Sequence, residues 1–407
     1  MTNSFSPDEV IVIRGRGRVS ALGQSLGSFG AVSPFTTRQL GQSALPVAAL
    51  PAAAEAAVQE LRRSQPAYRQ LDRTVLLGLL AARQATAAAG WDTARPVAPG
   101  QPASEISVSI GSSRGATGRL EEFHAEFLRE GSVPVAASPL TTLGNVASWV
   151  AYDAGSMGGA SLSHSSTCSS AFQALGNATA WLRAGMATRF LAGGTEAPLT
   201  DFTLAQMQAI GIYSPFAAEE FPCRPGAGKP STFVLGEGAA VFALEKVSAA
   251  SLLGQSRKPV AVLEGVGFGF EALGSKTGLS ADGKHFQQAM QSALGQSGCA
   301  LAEVDAVVLH SPGTPAGDAA ERAALRAVFG EELPLLLSNK WLVGHTLGAS
   351  AALSLDFALH VLETQQWPSA PFPTDLAPMP SPRPLRRILI NAAGFGGNAA
   401  SAIVSLR

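Results

Sequence analysis

Charge is scarce in this chain. Only 14% of its 407 residues are Asp, Glu, Lys or Arg, and the formal net charge is -1. A protein that grips nucleic acid or an anionic membrane needs a basic field, and this composition supplies none. Cysteine is scarcer still: Cys168, Cys223 and Cys299 form an odd set without CxxC spacing. That argues against a disulfide framework and a zinc site, and it suits a reducing cytoplasm. No run of 18 apolar residues occurs, and MTNSFSPDEV lacks the basic segment and apolar core of an export signal. The expectation is a cytoplasmic protein with no membrane span, nucleic-acid partner, metal or cofactor.

What the chain does hold is apolar bulk, with 46% hydrophobic residues and 43 glycines. Its length is too great for one small core and suits two fused domains or one duplicated unit. Periodicity supports duplication. Strand 106–110 ends in GSSRG and is followed by a helix over 115–129; strand 304–309 ends in HSPGT and is followed by a helix over 319–329. SSTCSS opens one helix and NKWLVGHTLGAS opens another, while strands 189–192 and 387–390 end in GGTEA and NAAGFGGN. Alternating strands and helices predict parallel sheets covered by helices. The halves run over 1–248 and 259–407, with AASLLGQSRK as the linker between them. GRGRVSALG reads as a glycine-punctuated turn after strand 10–13, and 28–70 and 201–231 read as long excursions.

The stretch SLSHSSTCSSAFQALGNATAWLRAG, residues 161–185, is the chemical centre. Ala171, Ala174, Leu175, Ala178, Trp181 and Leu182 fall at helical spacing, which puts Cys168 at a helix start. Unpaired N–H groups and the positive dipole end favour a thiolate there, so a reactive thiol is expected. A lone cysteine is more often a small buried hydrophobe; the rest of the chain argues otherwise. In parallel sheets active residues gather at strand C-terminal ends and helix starts, where Cys168, His310, His345 and Phe395 all fall.

Seven motifs in order carry a resemblance: GRGRVSALG, STCSS at Cys168, GGTEA, FVLGEG at Phe233, HSPGTPAGDAAE at His310, KWLVGH at Lys340, and GFGGN at Gly394. Over nearly its whole length the chain resembles the beta-ketoacyl-acyl-carrier-protein synthases, elongating condensing enzymes of the thiolase superfamily. The resemblance implies an α/β thiolase-like fold, two duplicated halves in an αβαβα layering. It implies decarboxylative Claisen condensation of an acyl thioester, carried on Cys168, with malonyl-acyl carrier protein. Nε2 of His310 and of His345 then hold the enolate oxygen, and the backbone N–H groups of Cys168 and Phe395 hold the oxyanion. Gly394 and Gly396 let the Phe395 loop approach and swing as a gate. Lys340 belongs to the active-site network with Glu321 as its expected ion-pair partner; Asp318 and Glu321 match the family's GDxxE. Thr314 and Phe233 fall to substrate binding. The partners implied are an acyl carrier protein and a second subunit, identical or a chain-length partner, joined through the strand after the nucleophile helix.

Three departures mark a specialised synthase of polyketide, polyene or pigment type. Pro312 replaces a threonine of HGTxT, Ser354 stands where a glutamate usually follows the second histidine, and CRPGAGKPSTFV lacks an aspartate-glycine pair. Asp356, two residues beyond Ser354, lies on another helical face. Competing families fit less well. A degradative thiolase carries a second cysteine in the glycine loop, an initiating synthase has asparagine where His345 stands, and a non-catalytic chain-length partner usually lacks the cysteine. His124, His164, His285 and His360 are read as structural or surface residues.

Overall fold

A computed structural model describes residues 9–26, 32–91, 105–255, 259–272, 280–379, 381 and 383–407. Most of the MTNSFSPDEV segment, part of the first excursion (27–31) and the end of the linker (256–258) lie outside the described residues.

The first half runs β1 (Glu9–Val19), β2 (Thr36–Leu40), β3 (Ser43–Val47), α1 (Ala52–Ser64), α2 (Arg73–Ala89), β4 (Ile106–Gly111) and α3 (Thr117–Glu130). It continues through α4 (Ala137–Thr141), α5 (Val146–Asp153), β5 (Ser161–His164), α6 (Ser170–Arg183), β6 (Arg189–Glu196), α7 (Asp201–Ala209) and β7 (Gly238–Ser248). Helix α8 (Ala249–Gln255) leads into the second half, which opens with β8 (Ala261–Phe270), α9 (Lys284–Ser297), β9 (Ala306–Val308) and α10 (Pro315–Phe329). Then come β10 (Leu335–Leu337), α11 (Lys340–Val343), α12 (Ser350–Thr364), β11 (Arg387–Gly394) and β12 (Asn398–Leu406).

Ten strands form one sheet in the order β10-β9-β11-β12-β8-β1-β7-β6-β4-β5. The two halves have the same plan. Strand β4 is parallel to β5 and β6, and β7 runs antiparallel beside β6; β9 is parallel to β10 and β11, and β12 runs antiparallel beside β11. Antiparallel β1 and β8 join them. The expectation of purely parallel sheets is therefore corrected to mixed ones. One cause is plain: β11 and β12 are linked by so short a turn that only a hairpin can form.

Alternate residues of a strand point to opposite layers. Ala240, Phe242 and Leu244 of β7 share a core with α6, α12 and the second half, whereas Ala239, Val241 and Ala243 share one with α1 and α2. Likewise Ala400, Ala402 and Val404 of β12 face the middle helices, and Ala399 and Ile403 face α9 and α10. Helices α6 and α12 thus form the middle of an αβαβα stack, the thiolase-like layering expected.

Other local readings change. GRGRV is not a turn but the second part of β1, because Gly15 and Gly17 let α2 press onto the strand; a Cβ on either would overlap the Ala85 or Ala81 carbonyl. The strand after the Cys168 helix, β6, expected to pair with a second subunit, is instead paired on both sides by β4 and β7, and the sheet ends in β5 and β10. The excursion over 28–70 contains a hairpin and a helix, and α4 and α5 are separated by a break at Gly144 and Asn145, both at positive φ.

Candidate active site

Cys168 lies two residues before α6, on a loop whose Thr167 takes a φ of +53°. That uncommon conformation for a threonine turns the chain sharply into the helix. The thiol packs among Leu204, Met207, Phe233 and Leu347 and is only 6% exposed. Burial, and then the charge of Glu196, push it up to about 12, against the pull of Lys340 and Arg114. The helix start is present, but burial and Glu196 push the thiol up, opposite to the lowering expected there.

Cys168, His310 and His345 line one cavity of about 90 Å³ together with Phe233, Thr314, Gly394 and Phe395. The two imidazole rings stand 5.3 Å apart at 86°. His310 ends the β9 segment. His345 is held by the FVLGEG strand, its N–H donating to the Val234 carbonyl (2.7 Å) and its carbonyl accepting from Gly236 N–H (3.1 Å). Leu347 N–H donates to His345 Nδ1 at 3.0 Å. An accepting Nδ1 leaves the proton of a neutral ring on Nε2. Neutrality is secured by burial and then by Lys340, which bring His345 down to about 3; burial, His345 and Lys340 hold His310 well below its ordinary range. Phe233 lies 5.3 Å from the His345 ring. A Cβ on Gly394 would overlap Thr167 Oγ1 and sit 2.9 Å from Cys168 N, so only glycine lets β11 end against the Cys168 loop. Gly396 has a φ of +87°, and Phe395 beside it is 45% exposed at the cavity mouth.

The expected ion pair between Lys340 and Glu321 does not form. Glu321 is fully buried, and donors already take both its oxygens: the N–H groups of His310 (2.9 Å) and Ser311 (2.8 Å), Ser311 Oγ (2.7 Å) and Asn391 Nδ2 (3.1 Å). It is a clamp on the backbone that carries His310. Lys340 Nζ donates instead to Ser354 Oγ at 3.2 Å, and that hydroxyl donates to Asn339 Oδ1. Burial lowers Lys340 to about 8, while Cys223 and Glu321 oppose the shift. Asp318 accepts from Gly226 N–H and Gly313 N–H, fixing the loop that contains Pro312 and Thr314. Asp356 binds Arg16 and Arg18, away from this network. Among the described residues no cluster of His, Cys, Asp and Glu could hold a metal, and no helix is long and apolar enough to cross a membrane.

The model of the beta-ketoacyl synthase N-terminal domain matches residues 33–250, and that of the C-terminal domain matches 260–371. The chain belongs to the beta-ketoacyl synthase family. Its members are condensing enzymes of fatty acid and polyketide synthesis. Among its relatives is 3-oxoacyl-[acyl-carrier-protein] synthase 2 of Staphylococcus aureus (strain COL), 29% identical over 350 residues, covering 82% of this chain and 81% of the relative. The tetracenomycin polyketide synthase ketoacyl synthase alpha subunit of Streptomyces glaucescens is 30% identical over 358 residues, covering 82% and 81%. In fold, the ishigamide ketosynthase/chain length factor superposes with a TM-score of 0.82 at 20% identity, covering 98% of this chain and 99% of that one.

Against that family background, sequence reasoning had passed over Glu196, the acid of GGTEA. Fully buried at the end of β6, it accepts from Ser112 Oγ (2.9 Å), Ser113 N–H (2.6 Å), Arg114 N–H (3.1 Å) and Gly348 N–H (2.9 Å). It ties a loop of the first half to the segment beside His345, and burial raises it to about 7. The available signal was an acid closing an otherwise apolar strand, which must find several donors. Phe286, Met207 and Ile212, also cavity-lining, gave no such signal.

Proposed function

We propose that this synthase joins an acyl group to a malonyl unit by decarboxylative Claisen condensation. The single observation supporting this most strongly is that Cys168 and two neutral imidazoles line one small cavity. Cys168 Sγ attacks the carbonyl of an acyl thioester and releases the carrier thiol, which leaves with the Sγ proton. The malonyl thioester then loses carbon dioxide, and the electron pair of the broken C–C bond moves onto the thioester oxygen. His345 Nε2–H, whose tautomer follows from the Leu347 bond, and His310 Nε2–H stabilise the enolate. The carbanion attacks the acyl-Cys168 carbonyl, whose oxyanion meets the N–H groups of Cys168 and Phe395. Collapse expels the Cys168 thiolate, which takes up from solvent the one proton the overall reaction consumes, and the 3-oxoacyl product stays on the carrier.

Acyl carrier protein is the partner this reaction requires. A second subunit is expected, either another copy or a chain-length partner, and the edge strand of the first half, β5, is the one expected to pair with it. Pro312 in the cavity wall, where the family commonly offers a hydroxyl, favours a specialised substrate. The test is mass spectrometry of Cys168 after incubation with candidate acyl carriers. An acyl adduct on Cys168, absent from a folded Cys168→Ala variant that no longer elongates, is expected. A Cys168→Ala variant that still elongates would remove the nucleophile from the scheme.

A further inference from the structure

The two imidazoles of the cavity are held differently. His345 is fixed by the bond from Leu347 N–H, whereas His310 Nδ1 is buried with no hydrogen-bond partner among the described residues. A histidine whose second nitrogen has no partner owes its orientation to packing. On one side that packing is Phe286, whose ring lies 6.2 Å from the His310 ring and lines the Cys168 cavity.

Phe286 in turn rests on His285, with ring centroids 4.6 Å apart at 36°. His285 is fully buried on the first turn of α9 and places Nδ1 3.2 Å from Glu271 Oε2. Burial keeps His285 below its ordinary range, so the ring is neutral and its proton sits on Nδ1, facing the carboxylate. Glu271 also accepts from Ser280 Oγ at 2.6 Å. Although burial opposes its charge, the hydrogen bonds from Ser280 and His285 hold its carboxyl below the usual range. Its backbone N–H donates to the Gly397 carbonyl at 3.0 Å, inside the GFGGN loop that carries Phe395. Gly397 has a φ of +83°, and a Cβ there would overlap the Glu271 carbonyl, so the loop is seated directly on this residue.

We propose that Glu271 and His285 form a latch that fixes Phe286 against His310 and fastens that wall to the Phe395 loop, making His285 a positioning residue. The proposal rests on the condensing-enzyme reading. It separates the two steps of the reaction: acyl transfer uses Cys168 and the oxyanion hole, while decarboxylation depends on where His310 points.

Two substitutions test it. His285→Phe keeps an aromatic ring against Phe286 but removes the Nδ1–H; His285→Asn keeps a donor near the same place. Thermal denaturation, single-turnover acylation of Cys168 and steady-state carbon dioxide release from malonyl-acyl carrier protein are measured for each. For His285→Phe, acylation should stay within about twofold, while kcat for decarboxylation falls about 10- to 100-fold and KM changes by no more than about threefold. His285→Asn should recover kcat to within about threefold of the parent. A folded His285→Phe with unchanged kcat, or a folded His285→Asn no better than it, overturns the latch. If His285→Phe does not fold, Glu271→Gln gives the same readout, and unchanged kcat there also overturns it. A parent chain that neither acylates Cys168 nor releases carbon dioxide overturns the condensing-enzyme reading, and the latch with it.

Discussion

Alkylation of Cys168 by iodoacetamide as a function of pH tests the electrostatics of the site most directly. Burial and Glu196 carry the thiol from 9.0 to about 12. A rise of about 3 units is about 4 kcal/mol against the thiolate. At pH 8 an unshifted thiol would be about 10% ionised, and Cys168 about 0.01%. The more basic sulfur is the better nucleophile, and a Brønsted slope of about 0.4–0.5 restores about 15- to 30-fold of that loss. At pH 8 the reaction should therefore run about 30- to 60-fold slower than that of an unshifted thiol. Restricted access lowers the rate at every pH, so the slope is decisive. The logarithm of the rate should climb one unit per pH unit through about pH 9.5 without a break, followed by peptide mass spectrometry to separate Cys168 from Cys223 and Cys299. Glu196→Gln should speed the reaction by removing the charge that raises the thiol, and below about pH 8, where Lys340 is charged, Lys340→Met should slow it by removing the charge that lowers it. A plateau beginning below about pH 8.5 would refute the reasoning, because it would mean that the helix start wins over burial.

Two further substitutions separate the steps. His345→Ala should lower malonyl decarboxylation about 100- to 1000-fold while acyl transfer to Cys168 remains measurable; an unaltered rate of carbon dioxide release would contradict its role as enolate donor. Gly394→Ala drives a methyl group into Thr167 and against the Cys168 amide, so single-turnover acylation should fall about 100-fold in a folded protein destabilised by about 1–3 kcal/mol. Acylation within about twofold of the parent would show that the end of β11 does not build the oxyanion hole.

Much of the site was legible because its residues stand where local pattern places them, beside strand ends and helix starts. What escaped was decided by contacts between distant segments. The spacing of Lys340 and His345 identified a network, but it could not say that Glu321 had spent its oxygens on the His310 and Ser311 amides, since a backbone donor leaves no mark on residue type. The expected thiolate failed for a similar reason. The helix start is local, but the apolar cover over Cys168 comes from α7, from Phe233 and from Leu347. Gly15 and Gly17 posed a third ambiguity. A glycine permits either a turn or a close approach, and only the docking of α2 decides between them.

The duplication explains why the site is assembled as it is. Both halves repeat one plan, so GSSRG and HSPGT occupy equivalent strand ends, and the segments before α6 and α12 are equivalent helix approaches. If both copies had kept the same residues, two identical half-sites would face each other. Instead Cys168 comes from the approach to α6, and the His345 imidazole comes from the approach to α12. The other imidazole comes from the second-half strand end, where the equivalent position of the first half carries Gly111 instead. Glu196 and Gly394 close the corresponding strands β6 and β11. The first is a buried acid binding Gly348 across the halves; the second is a glycine that admits β11 to the Cys168 loop. The cross-ties therefore act in both directions, and α6 and α12 share one apolar core with strands of both halves. Changes in that layer should thus disturb condensation even where they touch none of the reacting groups.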